Sequence, residues 1–437
     1  MTQTEPPPTL SAAQPRTLGT AAQLGLWGNL GISLLLPVAA TFIVLPGQSL
    51  LTTLLAVVVG AVIGSVLLGL AAAAGASTGA PAMVLLRGLL GTRLSALPTV
   101  ANLLQCVGWA TFEVFVIAEA AAALTGGPRW VFVLVAGVLA TGMALRPLGV
   151  VKVLARYAVW LAVASTVYLL VQVLRQPLPA LTDGSSTGFW ISLDIVIALP
   201  VSWVPLAADY SRHSRSVKAS FVGASVGYGV ATIVFFTLGV LALVAYQITP
   251  GFDVIGTLLV LPLAAVALLV LVVDELDEAF ANVYSTAVSA QNLRPGWDRR
   301  HLVVAVGTLA TLLALSVDAY SYEPFLFLLG AVFVPLTATF LVAFFVLRRR
   351  VGAGGWDVTE AAPSRPEMLV PWVAGFIAYE LVAPTMFTGW AAGWTTWWTQ
   401  RQTDLGIPTG WSASLASLVS LAVAGGLTLA LGMARRR

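Results

Sequence analysis

The sequence predicts an all-α polytopic membrane protein of about twelve spans. Of its 437 residues, 58% are hydrophobic and only 9% are charged, whereas soluble domains carry roughly a quarter charged residues. The apolar residues also gather into segments of about 20, the length that crosses a bilayer as a helix. The basic residues add a third observation. With twelve spans, all of the 22 Lys and Arg except Arg129, Arg175 and Arg401 fall in the termini or in alternate loops, and loops on the cytoplasmic side collect positive charge. Dropping one span would scramble the parity of every later loop, so both termini are placed in the cytoplasm. The net charge of +3 therefore reports topology and does not suggest a nucleic-acid partner.

Taken in order, residues 1–23, with the run Pro6–Pro8, read as a disordered cytoplasmic segment without the apolar core and cleavage site of a signal peptide. The spans follow at Leu24–Leu45, Leu50–Ala74, Pro98–Leu124, Trp130–Leu145, Val151–Leu174, Phe189–Ala208, Ala219–Tyr246, Leu263–Ala290, Leu302–Val317 and Pro324–Leu347. Residues 24–347 thus form a ten-helix core. A cytoplasmic loop at 348–367 leads to two additional spans, Met368–Thr388 and Trp411–Leu431, and a basic tail. Trp390, Trp394, Trp397 and Trp398, ahead of the last span, read as an interfacial aromatic belt. The protein is expected to work as a monomer in the cytoplasmic membrane.

Two spans carry helix breakers. The first has Gly28, Gly31 and Pro37, and the sixth has Pro200 and Pro205. Interrupted helices at corresponding places in two halves point to a transporter of two inverted five-helix repeats, with substrate held where the helices unwind. Cys106 is the only cysteine, and His213 and His301 fall in loops. No His/Cys metal cluster and no cofactor is expected.

The third span carries Asn102, Gln105, Trp109 and Glu113 at spacings that put them within roughly an 80° arc. An ionisable residue inside a membrane faces a cavity or a partner because hydrocarbon cannot solvate it, so Glu113 is a functional candidate. Glu119 reads as an interface residue, and Cys106 as a small core residue. The eighth span contains VVDELDEAFANVYS, Val272–Ser285. On a helical wheel Asp274, Glu275, Asp277, Glu278, Asn282, Ser285 and Ser289 share about half the circumference, so one amphipathic helix runs through the acids. Pro262 sits at the start of a span over Leu263–Ala290, where proline is tolerated, and that placement puts the acids near mid-membrane. A span over Val254–Val273 would instead leave them in a cytoplasmic helix. At the end of the sixth span, Asp209 and Arg212 are spaced to form a gate salt bridge.

These stretches together resemble the nucleobase cation symporter family of cytosine permeases, hydantoin permeases and hydroxymethylpyrimidine transporters. The resemblance rests on GASTGAPAMVLLRGLLG at Gly75–Gly91, Gly108 with Trp109, PLAADYSR at Pro205–Arg212, and FANVYSTAVS at Phe280–Ser289. It implies secondary active import of a planar nitrogen heterocycle by alternating access. Two aromatic residues sandwich the ring in that family, and Trp109 matches the third-span member. Glu113 stands where a glutamine is common, and Asn282 matches a substrate-contacting asparagine. Gln105 and, on the broken first span, Asn29 join the substrate set. The sixth-span ring lies nearer Pro200 in relatives, whereas Trp203 is the ring available here. Family hydroxyls that contribute to a sodium site align with Leu276 and Asp277. Asp277, with Asp274 and Glu278, is the ion-coupling candidate, and the ion is Na⁺ or H⁺. Glu113 as an acceptor favours rings with an amino group beside a ring nitrogen. Glu275 is left without a role.

Two other classes compete. A membrane enzyme could use DELDE to hold Mg²⁺ on a diphosphate, but no other span offers the second acidic cluster or the basic residues that such a site needs. A solute channel would not call for the pair of broken helices.

Overall fold

The structure, a computed structural model, describes residues 8–10, 15–153, 157, 159–247, 264–317, 321–347, 355–407 and 415–434. Pro262, Arg156, Arg348–Arg350, Arg435–Arg437, the start of the last span at Trp411 and residues 1–7 and 11–14 lie outside the described residues. The expectation of disorder up to residue 23 does not hold at its C-terminal end: Leu18 exchanges backbone hydrogen bonds with His213 and Arg215, and Thr20 already begins the first helix.

Every named element is helical. The first span is split into α1 (Thr20–Asn29) and α2 (Leu35–Ala39), with Leu30–Leu34 between them outside any helix. Then come α3 (Leu50–Thr78), two short helices α4 (Ala82–Leu85) and α5 (Arg87–Leu90), α6 (Ala96–Thr125), α7 (Arg129–Leu145), α8 (Pro147–Val153) and α9 (Val159–Leu174). The second half opens on another split helix, α10 (Phe189–Ser202) and α11 (Val204–Ser211), separated at Trp203. It continues with α12 (Val217–Val222), a π-helical turn at Gly223–Tyr228, α13 (Gly229–Tyr246), α14 (Ala264–Asp274), α15 (Leu276–Leu293), α16 (Arg299–Ala314) and α17 (Tyr322–Leu341). After them stand α18 (Leu369–Val382), α19 (Ala392–Asp404) and α20 (Ala416–Ala434).

Local chemistry sets several of these boundaries. The Ser49 hydroxyl accepts the N–H of Thr52 and starts α3, and Ser216 does the same for α12 through Ala219, each cap contributing about 1 kcal/mol. Gly79 ends α3 with φ of 75°, a left-handed geometry that favours glycine. Gly227 in the π-helical turn lies against the backbone of Leu24 and Gly28, so a Cβ there would stand 2.8 Å from the Leu24 carbonyl oxygen. That contact lets the split first span press directly onto the seventh.

Among the described residues, six helical stretches are long and apolar enough to cross a membrane. Leu104, Val138, Trp160 and Val266 are among many large apolar side chains left exposed. Lipid tails are the medium in which such residues need no protein cover. The chain is therefore a multi-pass membrane protein. Inside it, α10 lies along α3, α15 packs along α6 and α7, and α1 rests on the π-helical turn before α13.

The eighth span differs slightly from the uninterrupted helix expected. A turn at Glu275 divides α14 from α15, although its backbone stays right-handed helical at φ −54° and ψ −21°. In the eleventh span α18 ends at Val382, short of the expected Thr388, and the tryptophan-rich segment forms the separate helix α19.

Candidate functional site

The polar stripe of α6 and the acids of α14 and α15 meet in the interior. Asp274, Glu275, Asp277 and Glu278 are all no more than 4% exposed, and Glu113 is fully buried. The acids thus lie inside the bundle, as the longer placement of the eighth span requires. Carboxylate oxygens of Glu113, Glu275 and Glu278 approach within 4.8 Å of one another. Among the described residues no Lys, Arg or His forms an ion pair with them. Buried charge without a counter-charge is costly, so these carboxyls need protons or a cation among them.

Glu275, the acid without a role in the sequence, has the most definite one here. It accepts the Ser33 hydroxyl at 2.8 Å and the Leu34 backbone N–H at 2.7 Å, one on each oxygen. Both donors belong to the unwound part of the first span, where backbone N–H groups lack helical partners. Asn29, at the end of α1, donates its amide N–H to Asp277 at 2.5 Å. Two acids of the eighth span therefore hold the two edges of the break in the first. Among the described residues, no N–H or hydroxyl donates within bonding geometry to either Glu113 oxygen, either Asp274 oxygen, Asp277 Oδ1, Glu278 Oε1 or Asn29 Oδ1. Asn29, Asp274 and Asp277 supply hard oxygen donors of the kind that hold an alkali cation, and their free oxygens fit that use.

Aromatic rings flank this centre in two groups. Trp109 is packed edge-on by Phe325 at 5.3 Å and Tyr322 at 6.1 Å, with Phe112 against both. Gly108 makes room, since a Cβ there would meet the Phe325 ring. In the second group Trp203, at the break of the sixth span, lies 6.3 Å from Trp27 and 6.0 Å from Tyr228. Trp109 and Trp203 thus belong to separate ring clusters. Tyr228 from one cluster and Tyr322 from the other both lie in electrostatic range of Glu113 and Glu278.

The other candidates are placed as follows. Gln105 donates to the Ser202 carbonyl at 2.9 Å and to Asn102 at 3.1 Å, while Asn102 donates to Ser289 at 2.9 Å. The lower stripe therefore ties α6 to the sixth-span break and to α15. Asn282 donates to the Glu278 carbonyl within α15. Cys106 is fully buried beside Asn102, and Glu119 pairs with Arg129 at 2.8 Å.

Asp209 and Arg212 do not form the expected gate ion pair among the described residues. Asp209 accepts the Ala82 N–H at 2.9 Å, and Arg212 donates to the Tyr284 hydroxyl at 3.2 Å. The reason is local: α11 ends at Ser211, so Arg212 is its C-cap and reaches α15 instead of back along its own helix. Sequence reasoning missed Ser33, Tyr228 and Tyr322. Only Tyr322, in SYEPF at the head of the tenth span, carried a signal, as a polar aromatic at a span entrance.

Two cavities flank the sixth-span break. One is lined by Ala82, Met83, Val204, Pro205 and Thr337. The other is lined by Phe42, Asp194, Ser202, Glu323 and Tyr379. The acid cluster does not line either.

Comparison with known proteins adds sequence and fold. A family profile described as permease for cytosine/purines, uracil, thiamine, allantoin matches residues 13–364. Mhp1, a nucleobase-cation-symport-1 family transporter, in a closed conformation with bromovinylhydantoin bound, superposes with a TM-score of 0.76 at 16% identity, over 99% of this chain and 95% of that one. Its inward-facing conformation gives 0.65 at 16% identity, over 98% and 94%. A Na⁺-coupled sialic acid symporter in a substrate-bound outward-open state gives 0.65 at 12% identity, over 96% and 90%. Comparison with curated protein sequences finds no match.

Proposed function

The chain belongs to the permease family for cytosine/purines, uracil, thiamine and allantoin, and from that premise we propose that it imports a planar nitrogen heterocycle together with a cation by alternating access. It does so as a monomer in the cytoplasmic membrane, with both termini on the cytoplasmic side, where the positive-inside distribution of Lys and Arg puts them.

One observation carries the mechanism: acids of the eighth span grip both edges of the break in the first span. A cation settling beside Asn29, Asp274 and Asp277 supplies the positive charge that these buried acids lack. It thereby sets how firmly the first and eighth spans are joined. Trp109, one turn from Glu113 on α6, stacks on the ring, and Glu113 accepts its N–H groups. Stacking is tolerant of ring identity, so Glu113 supplies the discrimination. Coupling follows because Glu113 and Glu275 sit in one carboxylate group, so filling the heterocycle site and holding the first-span break are electrostatically linked.

Uptake of radiolabelled cytosine, adenine and uracil into proteoliposomes, under a sodium gradient, a pH gradient or neither, tests this reading. Accumulation driven by one of the gradients is the expected result. Uptake indifferent to both would sink the symport reading.

A further inference from the structure

We infer that the segment ahead of the first helix is a strap that latches the cytoplasmic side of the transporter shut, so that its release favours opening toward the cytoplasm. This rests on the reading that transport proceeds by alternating access.

The core packs as two groups of helices. In one, α1 and α10–α13 gather around α3 and the π-helical turn, and in the other α6, α7, α15 and α16 lie against one another. Alternating access in a core of this kind is the rocking of one group against the other around the substrate site. At the end where the sixth span leaves the bundle, direct bonds join the groups. The Tyr210 hydroxyl donates to the Ala281 carbonyl at 2.8 Å, and Arg212 donates to the Tyr284 hydroxyl at 3.2 Å.

The strap bridges the same two groups. Residues 15–18 are held by the first. Leu18 donates its N–H to the His213 carbonyl at 3.0 Å and accepts the Arg215 N–H at 2.8 Å, and His213 donates to the Pro15 carbonyl at 2.9 Å. The Arg16 guanidinium lies against Gly79 at the end of α3, where an added Cβ would stand 3.0 Å from it. Residues 8–10 are held by the second group. The Pro8 carbonyl accepts the Gln291 side-chain N–H at 2.6 Å and the Arg299 backbone N–H at 2.9 Å, and Leu10 donates to the Pro295 carbonyl at 3.4 Å. Gln291 lies in the last turn of α15 and Arg299 opens α16, so this end grips the hairpin of the eighth and ninth spans.

The chemistry of the anchors suits a latch. The Arg299 N–H is a first-turn donor with no helical partner, and Gln291, 2% exposed, spends its other N–H on the Trp297 carbonyl at 2.8 Å. Pro8 therefore answers donors that the hairpin leaves open. Proline at both anchors fixes φ and brings no N–H of its own to satisfy. Each anchor also borders the bond between the groups: Arg212 precedes His213, and the Arg299 guanidinium lies 5.3 Å from the Tyr284 ring. Leu10 and Pro15 are five residues apart, a reach of about 18 Å at full extension. Rocking that parts the two groups must then either stay within that reach or break one anchor.

The test reads Cys106, the only cysteine, fully buried beside Asn102 on α6. A membrane-impermeant methanethiosulfonate reagent is added to inside-out or right-side-out vesicles carrying the full chain, and labelling is followed by mass spectrometry. Deleting residues 2–10 is expected to speed labelling from the cytoplasmic face at least about tenfold, the equivalent of one to two net hydrogen bonds, and to slow it from the outer face. Gln291→Ala, which keeps the strap whole, should speed cytoplasmic labelling about threefold. A disulfide formed between Leu10→Cys and Pro295→Cys should hold it below the parent rate, and reduction before labelling should restore it. Unchanged cytoplasmic labelling in the deletion, equal acceleration from both faces as a loosened fold would give, or a cross-linked protein labelled as fast as the parent would overturn the inference. If Cys106 reacts from each face and the deletion changes neither rate, the strap fails while alternating access stands. If it reacts from neither face in any variant, both fail.

Discussion

Glu275 accepts the hydroxyl of Ser33 at 2.8 Å across 242 positions of sequence, and in doing so joins the turn in the eighth span to the unwound part of the first. Its second oxygen takes the adjacent Leu34 N–H. Glu275→Ala leaves two buried donors unsatisfied and is expected to cost about 2–5 kcal/mol, whereas Ser33→Ala, which removes one donor, should cost about 1 kcal/mol. Melting of both variants in the same detergent gives the comparison. Equal losses would mean that Leu34 is held by something other than Glu275.

Asn29 and Asp277 form the second tie across the same gap. Asn29→Ala is expected to raise the sodium or proton concentration needed for half-maximal uptake about tenfold, corresponding to loss of one hydrogen bond to a charged group. Binding of heterocycle without the ion should change little. A variant with unaltered ion dependence would remove these two residues from the coupling site.

Trp109 is 7% exposed and packed edge-on by Phe325 and Tyr322. Loss of a stacking ring costs about 1–3 kcal/mol per base, so Trp109→Ala should weaken heterocycle binding about 5- to 150-fold while Trp109→Phe retains most of it. Isothermal titration with cytosine measures both. Equal weakening by Ala and Phe would show that the indole N–H, and not the ring face, does the binding.

His213, in the loop after α11, is 1% exposed and donates its Nδ1–H to the Pro15 carbonyl at 2.9 Å. Burial, helped by the neighbouring Arg212 guanidinium, pushes its pKa down from 6.5 to about 3. The unfolded chain gains a proton as pH falls below about 6.5 and the folded chain does not, so stability present in full above that pH is lost on acidification, by up to about 1.4 kcal/mol per unit. Melting at about pH 7.5 and about pH 5 should show a smaller drop for His213→Gln than for the parent. Parallel drops would place the acid sensitivity elsewhere.

Much of the fold was legible because the bilayer imposes a simple code. Apolar length fixes where helices run, and the described helices follow the expected spans closely, including breaks at Leu30–Leu34 and Trp203 beside the glycines and prolines that signalled them. Periodicity put Glu113 on a polar stripe and four acids on the polar half of one helix. Both groups are buried and meet. Pairings between helices were less legible. Asp209 and Arg212 looked like partners by spacing, yet each bonds to a different helix.

The sequence by itself predicted a helical bundle of about twelve spans with two interrupted helices and a band of acids along one helix face, since hydropathy, breakers and helical period are local properties of a chain. Only the tertiary structure decided what the acids hold. Glu275 faces Ser33, and Asn29 faces Asp277, across about 240 residues. Nothing local to either segment encodes that meeting, which comes from the crossing of the first and eighth spans, and the unwound backbone of one becomes the partner that the carboxylates of the other require.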